Sequence, residues 1–344
     1  MSLIRQPNFL KLALALLCVG LLAATGTMAP ALLALPGGEA GIGFDDMGFS
    51  PSIHSVIVPA GRSGNLDLID PDTRQITAIG GFSGQASFAG GHGQGVTSAD
   101  EGRGLLFATD RDAKRLEVID PMARSVIGSA PLAAEPDYVR YVSAAGQVWV
   151  TEPRAARIEV FSLPPGGAAK PSHLDFISIP GGPESLIIDN KRSRAYVNLW
   201  TDATLAIDLK SRKIVQRWKN GCTGSRGLAI DAARGFLFVG CAEGKMTVLD
   251  LNTRARLGSA SSGSGVDIIA YNPHLAHVYL PGAKSATMAI IGISAKGAAI
   301  VLATVATAQG AHCVAADDRD NAYVCDPKSG RLLIFHDTVT SHGS

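Results

Sequence analysis

The sequence predicts an all-β fold: a seven-bladed β-propeller of four-stranded antiparallel blades, its ring closed by an N-terminal strand that completes the last blade. Three observations carry this expectation. The chain is turn-rich and sparsely charged, with 39 Gly, 18 Pro and 18% charged residues among 344, a composition that favours many short strands over long amphipathic helices. A short apolar strand recurs seven times at intervals of 41 to 50 residues, the period of a propeller blade. A second apolar strand follows each copy after a polar turn.

The recurring strand begins at Val56, Leu106, Val148, Ala195, Leu237, Val278 and Ala322. Residues 195–209, AYVNLWTDATLAIDL, display the unit most plainly. The following strand reads LDLIDP at 66–71, LEVIDP at 116–121 and MTVLDL at 246–251. Its alternation is imperfect, as expected for a strand packed between neighbouring blades on both faces. Turn residues such as Asn252, Thr253 and Arg254 come next. A further strand precedes each pair, as in ESLIID (184–189), RGLAID (226–231) and HCVAAD (312–317), with 137–142 the poorest fit. Six units also carry a fourth, outer strand, for example at 75–79, 176–179 and 213–218. The seventh has none after Asp337. Residues 31–38, ALLALPGG, match the outer-strand ending ISIPGG at 177–182. They are therefore expected to supply the missing strand and remove an open edge.

Upstream of that strand, Arg5 and Lys11 precede an apolar run at 12–24 of signal-peptide length, short for a membrane span, with an uncleaved membrane anchor as the competing reading. Small residues follow near 28–31. The expected organisation is a signal peptide at 1–29, a single propeller domain at 31–337 and a short C-terminal tail at 338–344. A periplasmic or secreted, monomeric protein follows, with no stable membrane insertion once the signal is removed. Cys18 follows Leu17 where a lipid anchor needs a small residue, so lipidation is rejected. The net charge of +1 offers no field that favours nucleic acid.

Four cysteines remain after export, an even number suited to disulfides in an oxidising compartment. No C-x-x-C spacing occurs, which disfavours a thioredoxin-like site, c-type haem attachment or a zinc knuckle. Pairing Asp317 with Asn321 across the hairpin 317–321 sets Cys313 opposite Cys325, and Cys222 and Cys241 fall at the same end of the fifth blade. Disulfides Cys222–Cys241 and Cys313–Cys325 are expected. A thiolate metal site shared with His312 is disfavoured, because pairs two blades apart should not converge.

Strand pairs such as AYVNLWTDATLAIDLKSRKIV resemble the YVTN repeat of YncE-like proteins, over essentially residues 31–337. The resemblance implies a seven-bladed propeller of the kind found mostly in exported bacterial proteins. That repeat family includes binding and scaffold proteins as well as relatives of enzyme subunits, so the fold does not carry an activity with it.

In a propeller, the loops entering the first strand and leaving the second surround one mouth of the central channel. The entering set is Asp45, His92, Gln94, Asp137, Glu184, Arg226, Asp267 and His312; the exiting set includes Asp110, Glu152, Trp200, Glu243 and Asp326. The binding candidates are Asp45, His92, Gln94, Asp137, Glu184, Trp200, Arg226, Asp267 and His312. Such residues suit a polar ligand, a cation or a basic partner peptide. The competing reading is that loop ends are polar because they face water, and that Asp at a strand end caps a turn.

The loop 82–95, FSGQASFAGGHGQG, is the most unusual, with glycines that permit close backbone approach. No strand–helix context surrounds them, so a dinucleotide fingerprint does not fit; a plain inter-blade connector competes. His274 and His277, in PHLAH, read as turn residues at the opposite end of the sixth blade, and His173 as part of a solvated insertion at 164–173. No G-x-S-x-G, H-E-x-x-H or Walker motif occurs. The expected function is a non-catalytic scaffold that binds an unidentified small molecule or exported protein at the mouth. The alternatives are a hydrolase or lactonase with a metal there, or an accessory subunit of a periplasmic redox system. Arg226 and the lack of an Asn-rich ligand set speak against the first, and the absence of a haem or quinone motif leaves the second without direct support. The sequence names no cofactor.

Overall fold

The computed structural model describes residues 28–164 and 170–340. Among them the chain forms seven four-stranded antiparallel sheets, the expected propeller. Most of the expected signal peptide lies outside the described residues. No described helix is long and apolar enough to cross a membrane.

Each blade runs outward from the channel. In the fifth, Ser225–Asp231 is innermost, followed by Phe236–Cys241, Lys245–Asp250 and Arg256–Ser261. Every residue of Phe236–Cys241 is buried, because both faces of a middle strand meet a neighbouring blade. The apolar clusters accordingly sit between blades: Val56 and Val58 of the first pack with Tyr323 and Ile334 of the seventh. Outer strands are largely exposed, as in Ser172–Ser178. In five blades the register between third and outer strands shifts at the same repeat position, after Val118, Val160, Ala206, Val248 and Ile290. Each shift is a bulge that adds twist to the outer edge.

The Asp that ends the third strand in LDLIDP-like segments is a turn cap. Asp70, Asp120, Asp208 and Asp250 accept hydrogen bonds from the amides of Thr73, Ala123, Ser211 and Thr253. Those turns close through Arg74, Arg124, Arg212 and Arg254, all at positive φ.

The ring closes as expected. Ala31–Ala34 pairs antiparallel with Arg331–His336, Ala31 facing Ile334 and Ala34 facing Arg331. Just beyond, Gly330 (φ 56°) and Gly38 meet backbone to backbone, and a Cβ on Gly330 would collide with the Gly38 carbonyl. The buried Arg62 donates to the carbonyls of Gly37, Gly41 and Gln85, tying the first blade to the segment that follows the closing strand.

The two cysteine pairs differ. Cys222–Cys241 is a disulfide. Cys313 and Cys325 are opposed as expected, with the Cys325 amide on the Cys313 carbonyl at 3.1 Å, but they stand as buried free thiols. Register brings the two sulfurs to 2.6 Å, inside van der Waals contact, so the expected pairing is met in geometry while no bond joins them. Two histidines also depart from expectation. His277 is buried at the start of His277–Gly282 and bonds Asp337 at 2.8 Å, so it is not a turn residue. His173 belongs to the outer strand Ser172–Ser178 and bonds Glu159 at 2.9 Å. Part of the insertion it was assigned to, 165–169, lies outside the described residues.

Candidate functional site

Outer strands return to the same face on which the next inner strand begins, so the crossover loops collect around one channel mouth. They enclose a cavity of about 940 Å³, within the range of small-ligand sites. Asp45, His92, Asp137, Glu184, Asp267 and His312 reach it from crossovers, Arg226 from the inner strand of the fifth blade, and Trp200 from the loop after Arg194–Leu199. Gln94 does not line it: its side chain accepts from the Ala89 amide and donates to the Ser87 carbonyl, bracing its own loop. That loop folds inward, Phe88 lying against Gly41 and Gly43.

The exiting carboxylates separate from the mouth. Asp110 accepts from the Ser83 amide, Glu152 from the Ala134 amide and Arg157, and Glu243 from the Thr223 and Gly224 amides. Each fastens the crossover that arrives from the previous blade. Those amides, acting against burial, hold Glu243 down at about 2. Asp326 pairs with Arg331. Of the exiting set, Trp200 alone lines the cavity; its indole is 43% exposed.

The hub is Arg111, which was not among the sequence candidates. Its Nη2 reaches Asp137 Oδ1 at 2.5 Å and Asp45 Oδ2 at 3.5 Å, while Nε and Nη1 donate to the Pro136 and His92 carbonyls. His92 Nδ1 bonds Asp45 Oδ2 at 2.9 Å. Burial opposes ionisation of Asp45, but His92 and Arg111 outweigh it and hold the carboxyl below its usual range. Asp45 in turn raises His92 to about 9. Burial and the neighbouring Asp45 push Asp137 up to about 7. Glu184 accepts from Arg226 Nη1 at 2.8 Å, yet burial, with Asp267 and Asp137 nearby, raises it to about 9. Several like charges converging on a partly dry funnel do not all ionise.

Asp267 differs. Among the described residues its carboxylate has no ion pair or side-chain hydrogen bond, although its charge is felt by His92, Asp137, Glu184, Arg226 and His312 from five sides of the ring. Further out, Arg154, Lys284 and Lys328 put exposed cations on the rim. Arg154, Lys284, Lys328 and the channel residue Tyr138 were not among the sequence candidates. Tyr138 also lines the opening at the other end of the channel, a more apolar cavity of about 560 Å³ with Ile187, Ile230 and Ile268.

Two donor clusters of metal-ligating type occur among the described residues. Cys222, Cys241 and Glu243 include the disulfide and have no thiolate to offer. The other, His312 with Cys313 and Cys325, adjoins the mouth.

No family model matches the chain, and no curated protein matches it. Solved structures are similar in fold. A chain of the mitotic checkpoint complex shares 11% identity with a TM-score of 0.74, covering 98% of each chain. Kuenenia stuttgartiensis hydrazine synthase shares 13% identity with a TM-score of 0.68, covering 92% of this chain and 99% of that one. The β-propeller domain of Myceliophteria thermophila Cps50 (Swd1) shares 11% identity with a TM-score of 0.69, covering 89% and 99%. At these identities the likeness shows the seven-bladed propeller alone.

Proposed function

We propose that this protein is an exported, non-catalytic binding propeller whose channel mouth receives a cationic group of a small molecule or of a partner's basic segment. The carrying observation is the unpartnered Asp267 carboxylate inside a cavity of about 940 Å³ whose other acids are tied to Arg111, His92, Arg226 or Arg154. Trp200 on the rim supplies an aromatic face for the same cation. The signal-like N-terminus, the resemblance to exported YVTN-repeat propellers and the Cys222–Cys241 disulfide support a periplasmic or secreted setting. The fold is one widely used for binding, which favours a scaffold over an enzyme.

The test is calorimetric titration of the purified protein with diamines and with Lys- and Arg-rich peptides. Binding that weakens at least about tenfold in Asp267→Asn is expected. Equal affinity in that variant, or no binding of any cation, overturns the reading. Metal analysis of the same preparation addresses the hydrolase alternative: a stoichiometric metal lost in Asp267→Asn would favour it.

A further inference from the structure

His312 and the two thiols beside it form a unit that cation binding does not use. His312 Nδ1 lies 2.7 Å from the Gly310 carbonyl, and Nε2 lies 2.8 Å from the Phe44 carbonyl. A carbonyl oxygen only accepts, and a neutral imidazole carries a single N–H. Both bonds are satisfied only by the imidazolium. The ring nitrogens therefore have no lone pair left for a metal, which argues against reading the cluster as a metal site.

Cys325 Sγ stands 4.0 Å from His312 Nδ1. It accepts from the amides of His312 at 3.4 Å and Cys313 at 3.2 Å, and lies 2.6 Å from the Cys313 sulfur, inside van der Waals contact. A cation and several donors aimed at one sulfur stabilise a thiolate. Cys313 lacks that company, and burial pushes its thiol well up. The other charged groups facing the cluster are Asp45, Asp267 and His92, whose ring centroid is 5.4 Å from that of His312. Both sulfurs are fully buried, while His312 lines the mouth; only a small reagent entering past His312 can reach them.

We propose that Cys325 and Cys313 form a redox-active dithiol, with Cys325 the attacking thiolate and hydrogen peroxide, or a peroxide of similar size, the oxidant. The Cys325 thiolate attacks one peroxide oxygen and the O–O bond breaks; the departing hydroxide takes a proton and leaves as water, and Cys325 becomes a sulfenic acid. The Cys313 sulfur then attacks Cys325 Sγ, the S–O bond breaks, and the sulfenic hydroxyl leaves as water with the Cys313 proton. One peroxide is reduced by two electrons, one disulfide forms, and a small-molecule thiol that can enter past His312 reverses the step by thiol–disulfide exchange. The adjacent strands already oppose the two residues, so the disulfide needs no new backbone pairing.

The experiment uses the full-chain protein, treated with dithiothreitol, then with peroxide, and quenched by alkylation under denaturing conditions for peptide mass spectrometry. A Cys313–Cys325 crosslink that forms and is again reduced, with Cys222–Cys241 unchanged, is expected. In Cys313→Ser the sulfenic acid persists on Cys325 and is captured by dimedone; in Cys325→Ser capture at Cys313 falls at least about tenfold. His312→Gln slows oxidation by a similar factor. Should that variant fail to fold, the pH profile of the unaltered protein decides: the rate is flat from about pH 6 to 9, where an ordinary thiol would accelerate. A rate that climbs through that range, equal capture at the two sulfurs, a pair that dithiothreitol cannot reduce in the folded protein, or a metal ion held stoichiometrically by the thiols overturns the proposal. None of these readouts depends on cation binding at Asp267.

Discussion

Arg62 Nε donates to the Gly41 carbonyl at 2.6 Å, joining the first blade to the chain that has just completed the seventh. The same guanidinium donates to Gly37 and Gln85, so one buried cation satisfies three carbonyls of two loops. Arg62→Met keeps the packing of the stem and removes the donors. A loss of stability on the order of 3 kcal/mol is expected, from several carbonyls left unpaired, read as a lowered midpoint in urea unfolding. Unchanged stability would mean that solvent replaces the guanidinium at no cost.

Asp67 is fully buried on the third strand of the first blade, and neither of its oxygens has a hydrogen-bond partner. Burial raises it to about 7. The folded protein therefore holds a proton there that the unfolded chain releases near about pH 4. The stability linked to this group is complete below about pH 4 and is lost as pH rises through about 7. Asp67→Asn should leave stability unchanged at the acid end and raise it by about 2–4 kcal/mol near pH 8. Thermal melts of the two proteins across that range check both the size and the sign.

At the mouth, Asp137 near 7 and Glu184 near 9 hold protons that an incoming cation would displace. Cation binding should release protons, and affinity should rise from about pH 6 to 8 as Asp137 ionises unaided. Titrations in buffers of different ionisation enthalpy measure the proton count directly. Asp137→Asn should flatten that part of the pH dependence; an affinity that falls with pH would contradict the arrangement.

The Cys222–Cys241 bridge closes a loop with a sequence separation of 19. Replacing both cysteines by Ser should cost about 3 kcal/mol, measurable by denaturant unfolding, with the far-ultraviolet signature of the propeller retained.

How much of this was legible beforehand depended on what the repeat can encode. Seven copies at a near-constant interval give each loop an address, and the address was enough to gather Asp45, His92, Asp137, Glu184, Trp200, Arg226, Asp267 and His312 around one cavity. It could not say where a side chain points once there. Gln94 shares its loop with His92, but its amide is taken by the backbone of that loop. Glu152 and Glu243 stand at mouth-side strand ends, yet unpaired crossover amides claim them. Arg111 was missed, because what makes it central is a meeting with Asp45, 66 positions away. The paired thiols show the same limit: register was readable, whereas the state of the sulfurs depends on the donors around Cys325.

The closing strand also fixes an orientation. It runs toward the mouth, from Ala31 beside Ile334 to Ala34 beside Arg331, and so enters from the far face. His336 ends its own strand on that face, and Met28 and Val339 pack against the same apolar cluster there. The described chain thus begins and ends on the side away from the cavity. Anything that tethered the propeller by either end, whether a membrane, a surface or a fused neighbour, would hold it like a cup by its base, with Asp267 and Trp200 facing the medium.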